Sequence, residues 1–168
     1  MSPRPSRRLT QGLLAGLVAL GLAGIVAARQ IAAADLAVAR PWTLAIPTGA
    51  PTAAGYLTIE NHGAEADRLI AVRSSQAERI DIHEIAVIDG VAKMRPLAEG
   101  LVLPPGGTLA LEPGGRHLMI WGPRGAWTPG ARIPLELDFA LAGTIAAEFV
   151  VYAPGDAPKP TTPGHAHP

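Results

Sequence analysis

From Leu36 onward the chain runs in short apolar or alternating stretches broken by glycine and proline. A period of two over four to eight residues marks strands with one buried face, and no stretch of helical period is long enough to compete with it. The pattern predicts strands at Leu36–Trp42, Ala54–Glu60, Asp67–Arg73, Ile80–Ile88, Val91–Pro96, Thr108–Glu112, His117–Trp121, Ile133–Phe139 and Thr144–Tyr152. Between them Asn61-His62-Gly63, Asp89-Gly90, Pro104-Pro105-Gly106-Gly107, Pro113-Gly114-Gly115 and Ala142-Gly143 supply turn chemistry. Many short strands at close spacing make this an all-β chain, an antiparallel sandwich or barrel with Greek-key connections. Aromatic residues are only 4% of the sequence, so the core has to rest on Leu, Ile, Val and Ala.

The first 34 residues follow a different pattern. Arg4, Arg7 and Arg8 precede an unbroken apolar run from Gly12 to Ala28, and Ala32-Ala33-Ala34 offers a small-residue cleavage site. Those three parts in that order are an export signal. The run of 17 residues is at the short limit for spanning a bilayer, so a cleaved signal is favoured over an uncleaved anchor. Ser6-Arg7-Arg8 hints at a twin-arginine signal, but Thr10 and Gln11 stand where such a signal prefers apolar residues. One domain then spans residues 35–153, followed by a tail, 154–168, too poor in large apolar residues to order itself.

Charge and cysteine content narrow the function. Residues 1–34 hold four arginines and no acid, which leaves 10 basic and 14 acidic residues downstream, a net charge of −4. That balance suggests neither a nucleic-acid surface nor a polybasic membrane patch, so membrane contact falls to the signal segment if it is retained. The chain has no cysteine, which removes disulfides, thiolate metal sites and thiol nucleophiles. No nucleophile elbow, zinc-protease helix or phosphate loop occurs, and no spacing of carboxylates suggests acid–base catalysis. A binding protein is expected, not an enzyme.

The candidate chemistry lies in four residues. Met94 and Met119 are the only methionines besides Met1, and His83 and His117 lie near them. In a strand, His117-Leu118-Met119 points both ligand-type side chains one way and Leu118 the other. Asp89-Gly90 is a strong signal for a two-residue hairpin. That turn would set Ile88 against Val91, Ile85 against Met94 and His83 against Pro96, leaving His83 and Met94 diagonal on one face, roughly 7–8 Å apart at the backbone. Imidazole and thioether without thiolate form a soft donor set that suits Cu(I), and a blue-copper site would need a cysteine. Spacing places each pair on its own strand face but does not bring the pairs together. Methionines that merely fill a core and solvated histidines fit the same residues.

These residues and their surroundings resemble the PCuAC family of periplasmic copper chaperones. The family spacing is a histidine, ten residues, a methionine, about 21 residues, then H-x-M. Here ten residues separate His83 from Met94 and 22 separate Met94 from His117, with the extra residue falling in Leu97–Gly100, where loop length costs little. Pro51–Asn61, Met94-Arg95-Pro96 and Pro113–Met119 also resemble family segments. The resemblance implies a cupredoxin-like β-sandwich that binds one Cu(I) through His83, Met94, His117 and Met119. It also implies delivery to a copper-accepting protein, such as cytochrome c oxidase subunit II with its binuclear copper site or another copper chaperone. Histidine ligands have to be neutral, so binding would weaken as pH falls through about 6. In the tail, His165 and His167 are either solvated or a Cu(II)-capturing arm. Two other readings remain at this point: a metal-free interaction sandwich, and a copper-sequestering resistance protein with no onward partner.

Overall fold

The computed structural model describes residues 35–88 and 90–159, so residues 1–34, where a signal is expected, and Asp89, His165 and His167 lie outside the described residues. It contains ten strands: β1 (Leu36–Leu44), β2 (Thr52–Asn61), β3 (Asp67–Arg73), β4 (Arg79–Ile88), β5 (Val91–Pro96), β6 (Leu101–Leu103), β7 (Thr108–Leu111), β8 (His117–Trp121), β9 (Arg132–Phe139) and β10 (Gly143–Tyr152). Nine coincide with the predicted runs. The tenth, β6, is three residues long and has too little alternation to be read from sequence. Among the described residues no helix is long and apolar enough to cross a membrane.

The strands pair in the order β5-β4-β8-β2-β1-β10-β9-β3-β6, with β7 on β2 and a further β3–β4 contact at Val72–Ile80. That last contact returns the ladder to β4 and closes the sandwich along one side. Every ladder is antiparallel but one. β1 and β10 run parallel, with Trp42 against Val150 and Leu44 against Tyr152, where an all-antiparallel sheet was expected. Antiparallel neighbours can be joined by a tight turn, whereas a parallel pair needs a long connection. Here the rest of the fold is that connection.

The interior follows from the alternation. Leu57, Ile59, Leu69, Leu103, Leu111, Leu118, Ile120, Leu135, Leu137 and Phe149 are essentially inaccessible and belong to one cluster. Phe149 seats on Gly55, where an added Cβ would fall 2.3 Å from the ring, so only glycine fits that place in β2. The register shifts in two places, in β3 against β9 between Leu69 and Ala71, and in β1 against β2. The β1 register slips between Ala39 and Trp42, Arg40 takes a φ of 48°, and Pro41, which has no N–H to leave unpaired, sits in the bulge. The bulge delivers Trp42 against Tyr56, ring centroids 4.4 Å apart, with Tyr152 edge-on at 6.4 Å.

Leu118 lies between the two residues of the H-x-M triplet and is fully buried on the opposite face. Replacing it with alanine should cost about 3 kcal/mol, through lost transfer energy and a residual cavity, measured by urea unfolding.

Candidate metal centre

The hairpin forms in the register expected from Asp89-Gly90: Ile88 pairs with Val91, Ile85 with Met94 and His83 with Pro96. Gly90 has a φ of 76°, the left-handed conformation that such a turn demands. Sequence spacing could not supply the next step. β4 also pairs with β8, with His83 opposite His117, Asp81 opposite Met119 and Arg79 opposite Trp121. Residues directly opposite in an antiparallel ladder point to the same face. His83, His117, Met119 and, through Ile85, Met94 therefore share one face of three adjacent strands, while Ile80, Ile82, Leu118 and Ile120 take the other face into the core. Tyr56 and His117 each lie one residue beyond the Gly55–Leu118 pair of β2 and β8. Burial raises the Tyr56 phenol above its ordinary value of 10.0, so that neighbour stays neutral.

The two imidazoles lie side by side, ring centroids 6.0 Å apart and planes 24° from parallel. Both are buried, His83 to 8% exposure and His117 to 5%. Their polar atoms differ in partnership. His117 Nδ1 lies 3.1 Å from the Gly115 carbonyl, which can only accept, so Nδ1 carries the proton and Nε2 keeps its lone pair. His83 Nδ1 is buried and has no hydrogen-bond partner among the described residues. An orphaned buried nitrogen costs about 1–3 kcal/mol unless something completes it. Met119 is half-buried, while Met94 on the edge strand β5 is 53% exposed. Two imidazoles and two thioethers on one face make a soft, uncharged donor set that fits a copper(I) ion.

The two arginines that flank candidate ligands are already engaged. Arg95 Nη2 donates to Glu84 Oε2 at 2.9 Å, and Arg116 Nε donates to Glu84 Oε1 at 3.3 Å. Each of the three charges is chain-adjacent to a candidate ligand, Met94, His117 and His83 respectively, so this clamp ties the three ligand-bearing segments together from the reverse face. The hydrogen bond from Arg95 is the main cause that holds the Glu84 carboxyl below its ordinary 4.5; desolvation opposes it, and the charges of Arg116 and Arg95 and the Arg116 hydrogen bond add to the lowering. The hairpin register that places Glu84 opposite Arg95 was a usable sequence signal for half of this clamp.

Trp121, two residues on from Met119 in β8, shares the ligand face, and its indole N–H donates to Asp81 Oδ2 at 2.9 Å. Asp81 also meets Arg79 Nε at 3.0 Å, and the Arg79 guanidinium lies 5.2 Å from the Trp121 ring centroid. Sequence reasoning missed Asp81. His62 sits beyond β2, and its Nε2 lies 3.3 Å from Glu60 Oε2, outside the β4–β8 ladder. Leu97–Gly100, where the spacing is one residue longer than the family's, is a tight turn closed by Gly100 N donating to Leu97 O at 3.0 Å. An added residue there leaves both ligand registers unchanged.

Comparison with known structures places this fold among PCuAC domains. The apo PCuAC domain from PmoF1 is 27% identical, with a TM-score of 0.60 over 71% of this chain and 95% of that one. The copper-bound PCuAC domain from PmoF2 is 25% identical, with a TM-score of 0.59 over 71% and 94%. The solution structure of CuI-DR1885 from Deinococcus radiodurans, at 23% identity, shares the fold with a TM-score of 0.57 over 76% and 87%. The protein is thus a cupredoxin-like β-sandwich of the PCuAC class. The family described as "Putative lipoprotein LpqE-like" matches residues 36–151, and the chain belongs to that family, which is the PCuAC family. A curated relative, "Putative lipoprotein Lxx21020" of Leifsonia xyli subsp. xyli (strain CTCB07), is 30% identical over 107 residues. The match takes in 64% of this chain and 63% of the relative, less than two thirds of its length.

The direction of the Glu84 shift fixes a pH dependence. A carboxyl whose pKa is depressed on folding contributes stability that is present above its unfolded pKa and lost as pH falls through the lower folded value. Glu84→Gln should therefore loosen β5 at neutral pH, and its difference from wild type should shrink to nothing as pH falls through and below 4.5. Amide exchange of Lys93 to Arg95 across that range measures it. The effect should be small and weaken with salt, because the clamp is partly exposed.

Proposed function

We propose that this protein is an exported copper carrier that holds one Cu(I) with His83, His117, Met94 and Met119 and passes it to a copper-accepting protein. The observation that carries the reading is the buried, stacked histidine pair, with one nitrogen of His83 unpartnered, beside both thioethers on one sheet face. The structural likeness to a copper-bound PCuAC domain from PmoF2 supports copper as the cargo. The signal-like leader and a relative named as a lipoprotein support an envelope location. The binuclear site of cytochrome c oxidase subunit II, or another copper chaperone, is the class of acceptor that suits a Cu(I) donor of this kind.

Ligand placement suggests how the ion is released. Neutral thioethers stabilise Cu(I) without deprotonation and bind it less firmly than thiolates would. Two strand spacings and four residue steps separate Met94 from Met119, so the exposed hairpin has to fold over the face for both sulfurs to touch one ion. Met94 is then the ligand at the edge, the first an acceptor would displace, while the two histidines and Met119 keep the ion from escaping into solvent. No substrate is transformed; the ion is bound and passed on.

Anaerobic titration of the full chain with Cu(I) against a chromophoric chelator, beside a Met94→Leu/Met119→Leu variant, tests the assignment. One tight equivalent in the wild type, lost in the variant, is expected. Tight binding that survives the double substitution would move the site to the histidines alone, and no tight binding would sink the carrier reading. Transfer from the loaded chain to an apo acceptor then separates a carrier from a protein that only sequesters copper.

A further inference from the structure

On the ligand-bearing face of the β4–β8 ladder one carboxylate is present, that of Asp81. Asp81 is directly opposite Met119 and two residues along the same face of β4 from His83, so its side chain starts within the ring of proposed ligands. Both of its partners lie on the far side of it. Arg79 and Trp121 form the next rung of the ladder away from the histidines, and both bind the same oxygen, Oδ2, at 3.0 and 2.9 Å. Arg79 in turn lies over the Trp121 ring, which closes a triangle of ion pair, hydrogen bond and cation–π contact. Oδ2 is thus held toward the rung away from the histidines, and the carboxylate is charge-paired with a guanidinium.

We propose that Arg79 and Trp121 set the oxidation-state specificity of the site by restraining Asp81 from acting as a copper ligand. The inference rests on the copper reading above. A free carboxylate beside two imidazoles would create an N/O donor set with negative charge, which favours Cu(II) in tetragonal geometry. Held against Arg79 and Trp121, the same carboxylate leaves imidazole and thioether as the accessible donors, and these favour Cu(I). Asp81 is thus a latent oxygen ligand, and the Arg79–Trp121 pair across β4 and β8 that restrains it is a specificity determinant.

The test compares Cu(II) and Cu(I) affinities of the full chain carrying H165A and H167A, so that the tail histidines cannot contribute. Onto it are placed Arg79→Gln, or Trp121→Phe, which keeps the ring and removes the N–H. Either substitution should tighten Cu(II) binding roughly tenfold, the scale on which groups around a metal's ligands act, and leave Cu(I) affinity unchanged. Adding Asp81→Asn should abolish the gain, and electron paramagnetic resonance of the Cu(II) form should lose its oxygen-ligand signature with it. Unchanged Cu(II) affinity in both variants, with Cu(I) binding intact, overturns the proposal. So does a gain that survives Asp81→Asn. A parent chain without tight Cu(I) binding overturns the carrier reading first, and this inference with it.

Discussion

The pairing of β4 with β8 is the constraint on which everything else depends. One ladder, with His83 opposite His117, sorts every side chain of both strands. Ile80, Ile82, Leu118 and Ile120 enter the core, and His83, His117, Met119 and Asp81 face the other way. Because the side-chain period of a strand is two, a slip of one residue would exchange these sets, exposing four large apolar side chains and burying unpartnered polar ones. The apolar side of the ladder therefore fixes the positions of the polar side, and hydrophobic burial positions a site in which it takes no direct part. The clamp of Arg95, Glu84 and Arg116 extends the same register outward to β5, where packing is too thin to do so.

What was legible in the sequence and what was not divides by chain separation. The hairpin of β4 and β5 is local, and a two-residue turn leaves only one register, so Ile85 against Met94 could be read from residue types alone. His117 and Met119 sharing a face needs only strand geometry. The union of the two pairs depends on a ladder between segments more than thirty residues apart, which no periodicity encodes. It had to come from family resemblance or from coordinates. Asp81 went unread because its role is defined wholly by neighbours, Arg79 along the strand and Trp121 across it. β6 was too short to show a period, and the parallel pairing of β1 with β10 joins the two ends of the fold.

The face that results combines rigid and compliant parts. Its histidines sit deep, one with a defined tautomer fixed by a backbone carbonyl, beside a strand whose core side is fully buried. Its outermost thioether lies on a strand exposed along its whole length, next to Val87 and Val91, which are exposed as well. Such a gradient suits an ion that must be kept from solvent yet remain open to a competing ligand on one side. It also means that the candidate ligand Met94 lies on the strand that ends the sheet order among the described residues. Lys93, Arg95 and Pro96 along β5 oppose its unintended pairing with other strands.

The parallel pairing of β1 with β10 has a consequence in time. Trp42 finds its partner only at Val150, so the ladder of sheet hydrogen bonds cannot close until nearly the whole ordered segment has been made. Non-local pairings of this kind slow folding, because the loop they close must be ordered before they contribute anything. A chain emerging from the ribosome would remain open through most of its synthesis, its β1 edge waiting. For the export proposed above, that delay favours passage of the polypeptide before its sheet has closed.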